Sequence, residues 1–235
     1  MKANVQVRRS RERGHANHGW LDSYFSFSFA DYFDAAHMQF RSLRVINEDR
    51  VEPNQGFGMH PHRDMEIFTY VVEGSLAHKD SMGHESSITS GQVQKITAGK
   101  GLLHSEFNAS KTEPVHLLQI WIVPSEHSLQ PSYEEYTLDK ADEKNPLLLV
   151  GSPTGGKNVV HFHQDVYVYR GQLKAGKTTE HKLKPGRGLW LQMVKGSLHV
   201  GDTMVTSGDG LLLENVSDVV IKADHDSEFL LFDLA

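Results

Sequence analysis

From Arg41 onward the chain is a succession of short apolar-rich runs, SLRVI, EIFTYVVEG, GQVQKIT and PVHLLQIWIVP. Gly, Pro, Asn and Asp separate them at intervals of roughly ten residues, the punctuation of an all-β barrel or sandwich. Turn residues in DSMGHES, Asp80 to Ser86, predict a hairpin tip. Upstream, RGHANHGWLDSYFSFSFADYFD alternates Phe25, Phe27 and Phe29 but mixes them with turn residues, which predicts a strand and wrapped loops. A polar, helix-tolerant segment, Pro131 to Pro146, interrupts the β pattern and predicts the join between an N-terminal domain (1–130) and a C-terminal one (131–235). Beyond it the short runs resume as VYVYRGQL, GLWLQMVKGSLHVG, DGLLLE, DVVIKA and EFLLFDL.

The halves echo each other. VEGSLAH, from Val72, matches VKGSLHV, from Val194, and a TSG follows each. The second copy has the shorter hairpin, Gly196 to Gly208 against Gly74 to Gly91. This is the trace of one duplicated β unit.

Candidate chemistry gathers in the first copy. Gly56 to Gly74 reads as one strand carrying His60, His62 and Glu66, and period-two alternation puts the three on one face. By the same parity His104 and Glu106 share a face. On a helix His60 and His62 would stand about 200° apart, so the strand is what makes the pair useful. A lone strand histidine is usually a surface or satisfied core residue. Here H-x-H is followed by a Glu in register and later by an H-x-E, and neutral imidazole with carboxylate suits borderline divalent ions. The pattern predicts a mononuclear metal site, and spacing alone does not choose between Glu66 and Glu106. Projected through the repeat, the ligand positions fall on Lys182, Lys184, Gly188, Ile221 and Ala223, so the second half is expected to be metal-free. His161 and His163 lack a following H-x-E and read as structural or surface residues.

Composition narrows the class. A length of 235 residues suits one large domain or two small ones, and 38% hydrophobic content allows a core without unusual help. The net charge of −6 offers no broad patch for phosphate backbones, and the cluster Arg8, Arg9, Arg11, Arg13 reads as a solvated edge, so direct nucleic-acid binding is not expected. With no cysteine there is no disulfide, zinc ribbon or thiol nucleophile. The N-terminus lacks an apolar signal region and no run is long enough to span a membrane, which predicts a soluble, cytoplasmic protein.

H-x-H-x3-E at His60 to Glu66 with Gly74 downstream, then G-x-G-x2-H-x3-N at Gly99 to Asn108, resembles the cupin superfamily. RGHANHGWLDSYFSFSFADYF and GFGMHPHRDMEIFTYVVEG are similar to the pirin family in particular. The likeness covers most of the N-terminal half and is weaker beyond. It implies an all-β bicupin, two stacked antiparallel barrels of jelly-roll type, with metal in the first alone. It implies His60, His62, His104 and Glu106 as ligands, with Glu66 or Asp64 orienting an imidazole N–H. The implied cofactor is one divalent transition metal, iron(II) first, with Mn, Ni, Co, Cu or Zn open.

The implied activity is that of a quercetin 2,3-dioxygenase. A flavonol ring would be opened with O2, carbon monoxide released, and Glu106 would act as general base. The family also implies an alternative, a metal-containing regulatory protein acting through protein–protein contact. Met59, Phe57, Phe68 and Phe107 are candidate walls for a flat substrate. His15, His18 and Trp20 are expected to pack across the barrel, and His116 is left unassigned.

Overall fold

The computed structural model describes residues 3–139 and 145–235. The chain is the expected all-β bicupin, divided into two compact units. Among the described residues no helix is long and apolar enough to cross a membrane.

One unit comprises Gly14–Leu138 and the short piece Phe162–Gln164. Its larger sheet orders the strands Ser132–Thr137, Gln92–Thr97, Glu66–Glu73, Val115–Ile122, Leu43–Val51, Leu21–Phe25 and Gly14–Asn17. Its smaller sheet orders Gly56–His62, Leu102–Asn108, Ser75–Asp80 and Glu85–Thr89. The predicted hairpin tip lies between the last two, where Asp80 Oδ1 accepts the N–H groups of Met82 and His84. Apolar positions on the inner faces close the core. Leu21, Val51, Val71, Leu76, Ile88, Val115 and Leu117 form one cluster, and Ile67, Ile96, Ala98 and Leu102 another. Each fully buried aliphatic side chain contributes roughly 1.5–3 kcal/mol, which offsets the polar groups that share this interior.

The other unit comprises Met1–Arg13, Asp139–His161 and Asp165–Ala235. Its sheets order Asn4–Arg8, Gly210–Glu214, Gly188–Lys195, Ser227–Leu234, Val166–Leu173, Leu147–Ser152 and Val160–His161, then Thr178–Lys182, Asp218–Ala223, Ser197–Val200 and Thr203–Thr206.

Two features differ from the sequence reading. Ser132–Thr137, inside the segment read as an interruption, is an edge strand paired with Gln92–Thr97. An edge strand leaves one side to solvent, so its polar composition resembles a linker; residues 140–144 of that segment lie outside the described residues. Asn4–Arg8 pairs with Gly210–Glu214 and so completes the sheet of the unit formed mainly by the C-terminal half.

Candidate metal centre and its cavity

The site is built on two neighbouring strands, Gly56–His62 and Leu102–Asn108. His60 stands opposite His104, and His62 opposite Leu102. Ring centroids of His60, His62 and His104 are 4.5 to 4.8 Å apart, and one nitrogen of each lies within 4.8 Å of the others. His104 is buried, and among the described residues neither of its ring nitrogens has a hydrogen-bond partner. Leaving a buried polar group unpaired costs about 1–3 kcal/mol, a penalty that a bound cation removes. Burial, reinforced by His60, His62 and His78, pushes His104 down to about 2. Burial and His60 push His62 down to about 4. Both rings are therefore neutral near pH 7, the form that ligates metal. His60 Nδ1 is 2.8 Å from the Gly58 carbonyl, which can only accept, so the proton sits on Nδ1 and Nε2 is free. This donor set fits a divalent transition metal.

Glu106 is buried beside His104, and with His78 the two form a second group of donor atoms within 4.8 Å of one another. Both its oxygens accept amide N–H groups, one from Gln94 and one from Gln119 Nε2 at 2.8 Å. Thr69 ties the amides together, donating to Gln119 Oε1 at 3.1 Å and accepting from Gln94 Nε2 at 3.2 Å. Burial pushes Glu106 up to about 7, against the two amides and with a contribution from Asp49. Behind His104, the buried His78 stacks on Tyr133 and lies 3.5 Å from Asp80.

The other expected carboxylates are elsewhere. Glu66 does not share a strand with His62: one strand ends at His62, the next begins at Glu66 in the other sheet, and Asp64 between them has φ 49°. Parity does not carry across that break. Glu66 is 2.6 Å from Lys95 Nζ and accepts the backbone N–H of His163 at 3.2 Å. Asp64 accepts the backbone N–H of Ser128 at 2.6 Å. Neither orients one of the three imidazoles in the way the resemblance implied.

His60, His62 and Glu106 stand in the wall of a cavity of about 400 Å³. Of the four expected aromatic or apolar walls, Phe57 alone lines it. A register shift between His104 and Glu106 sets Phe57 opposite Glu106, so an odd-numbered residue joins the face of His60 and His62. Gly56 is required beside it, because a Cβ there would run into the Glu106 carbonyl and Phe107 Cα. Met59 and Phe107 are exposed, and Phe68 packs on Phe162.

The remaining aromatic wall comes from Trp20, Phe25, Phe29 and Trp121, while His18, Ser23, Asn47, Asp49 and Gln119 supply polar atoms. His15 stacks on Tyr24 and lies 2.6 Å from Asp22, and His116 is 3.0 Å from Glu48. Sequence reasoning missed Gln94, Gln119, His78, Asn47 and Asp49. The one visible signal was the lone glutamine inside LLQIWI.

Known proteins resemble this chain over both units. The family model described as Pirin matches residues 4–122, and one described as Quercetinase C-terminal cupin domain matches residues 149–234. The chain is 46% identical over 230 residues to the quercetin 2,3-dioxygenase of Escherichia coli (strain K12), covering 98% of each. The crystal structure of YhhW from Escherichia coli aligns with a TM-score of 0.96 at 45% identity, over 99% of this chain and 98% of that one. The structure of the bacterial pirin YhhW in complex with nickel(II) aligns at 0.94 and 44% identity, over 98% and 99%. Likeness that spans both units and extends to a metal-bound relative goes beyond a shared barrel: this chain belongs to the pirin family.

Proposed function

We propose that this protein is a metal-dependent dioxygenase that opens a flavonol with O2 and releases carbon monoxide. The observation that carries the reading is the cavity of about 400 Å³, with aromatic walls and with His60, His62 and Glu106 along one side. A bare, solvated metal site would have favoured a regulatory role; an aromatic-lined cavity favours a flat substrate. The relative named quercetin 2,3-dioxygenase supports the same reaction class.

In this reading His60, His62, His104 and Glu106 hold the metal. We assign iron(II), while the nickel(II) complex of the relative argues that the donor set accepts other divalent ions. The bound ion would lower the pKa of a ligated hydroxyl and offer open positions to O2. The chain's own part is positioning and proton handling. Trp20, Phe25, Phe57 and Trp121 clamp the flat ring system and exclude water. A Glu106 carboxylate oxygen takes the flavonol 3-hydroxyl proton, and Gln94 and Gln119 keep that carboxylate in place. Both atoms of O2 enter the opened product, and one ring carbon leaves as carbon monoxide.

The test is anaerobic reconstitution with iron(II), followed by oxygen uptake and carbon monoxide release with quercetin. Turnover that is lost in Glu106→Gln and kept in Lys184→Ala is the expected result. One metal per chain with no oxygen uptake would sink the dioxygenase and favour the regulatory protein.

A further inference from the structure

The cavity carries further polar groups beside Glu106, because Asn47 stands opposite the Gln119 that donates to Glu106. Asn47 and Asp49, on the strand Leu43–Val51, both line it and are only 3% and 4% exposed. They belong to the larger sheet, whereas His60 and His62 belong to the smaller one. In register, Asn47 stands between Phe25 and Gln119, and Asp49 between Ser23 and Leu117. Strand residues two apart face the same way, roughly 7 Å from each other. Asp49 accepts a hydrogen bond from Ser23 Oγ, and Asn47 Oδ1 has no partner among the described residues.

These groups are costly where they are. Phe25, Leu21 and Phe29 surround them in the same cavity wall, and an apolar side chain of similar size would pack there without an unsatisfied acceptor. Asp49 is not among the carboxylates that group with the imidazoles as donor atoms. A guest that donates a hydrogen bond removes the penalty, and a guest without a donor leaves it in place. A site of that kind discriminates by hydroxyl more strongly than by shape.

We propose that Asn47 and Asp49 form a hydroxyl-recognition subsite, which selects planar aromatic guests carrying a phenolic hydroxyl in addition to the one that meets the metal. The inference rests on the flavonol reading of the cavity and narrows it to polyhydroxylated members of that class. Asn47 and Asp49 are specificity-determining residues, distinct from the metal-binding set.

The experiment compares anaerobic binding of quercetin and of 3-hydroxyflavone, which lacks the additional hydroxyls, to the metal-loaded protein. Quenching of tryptophan fluorescence reports occupancy, since Trp20 and Trp121 line the cavity. We expect the wild type to prefer quercetin by at least about tenfold. Asn47→Ala and Asp49→Ala should each cut that ratio at least about threefold, while Asp49→Asn, which keeps an acceptor oxygen, retains most of it. Should Asp49→Ala fail to fold, Asn47→Ala carries the test. Equal binding of both flavonols by the wild type, or an unchanged ratio in the alanine variants, overturns the subsite and leaves the flavonol reading standing. Binding of neither flavonol overturns both.

Discussion

The two units of this chain have the same strand architecture and opposite interiors. In each, an eight-residue central strand turns through a glycine with positive φ into the smaller sheet, Gly74 at 84° and Gly196 at 82°. In the first, His104 stands between His60 and Asp80, and Glu106 beside His78. In the second, Ile221 stands between Thr179 and Val200, and Ala223 beside Leu198. Ile221, Ala223 and Leu198 are fully buried in a single apolar cluster. His181 faces Val219 much as His62 faces Leu102, but it is committed to Asp233 at 2.9 Å, which also binds Arg187. The barrel does not require polar ligand positions. Where they occur, they are held against the hydrophobic gradient, with His104 left without partners among the described residues, so the first interior is shaped by chemistry and the second by packing.

Exchanging residues between equivalent positions is the strongest way to break this contrast. His104→Ile should weaken metal binding by roughly a thousandfold, measured by competition with a chelator. The same variant should leave the apoprotein no less stable in thermal unfolding, since two orphaned nitrogens are removed. A large loss of apoprotein stability would mean that His104 is structural. The mirror change, Ile221→His, places an unpaired imidazole in the closed apolar cluster and should cost about 3 kcal/mol in urea unfolding.

Gln119→Leu removes one of the two amides that hold Glu106 and should lower metal affinity about 10- to 100-fold. A cobalt(II)-loaded sample should show a changed visible spectrum, which a merely structural role would not produce. The smallest effect is expected at Asp233. Burial raises its pKa, but hydrogen bonds from His181 and Arg187 bring it below the ordinary 3.8. A depressed carboxyl contributes stability that is present above that ordinary value and is lost as pH falls through the lower, folded value. The stability gap between wild type and Asp233→Asn should therefore narrow as urea melts are moved from about pH 5 to pH 3; a gap that does not change with pH would dissociate Asp233 from this ion-pair network.

Much of the fold was legible because its signals are local. VYVYRGQL and DVVIKA are strands from first to last residue, and the repeat around Gly74 and Gly196 marks the shared turn. His60, His62 and His104 were legible as a group because each pair or register position lies within a single strand, where period two fixes the face. Glu66 was misplaced because a turn at Asp64 separates it from His62, and parity does not survive a turn. Of the expected walls Met59, Phe57, Phe68 and Phe107, Phe57 alone lines the cavity, because a register shift opposite it brings it round to the ligand face.

By itself, then, the sequence determined the β class and the family, and it put forward the internal repeat and His60, His62 and His104 as a group, all from short-range periodicity or spacing. Tertiary structure alone decided that Glu66 faces Lys95 while Glu106 sits between two glutamine amides. It alone paired Asn4–Arg8 with Gly210–Glu214 and gathered Trp20, Asp49 and Trp121 around one cavity. Those arrangements join residues far apart in the chain, and which strand lies beside which is set by the closing of sheets over a common core, a quantity no local pattern carries.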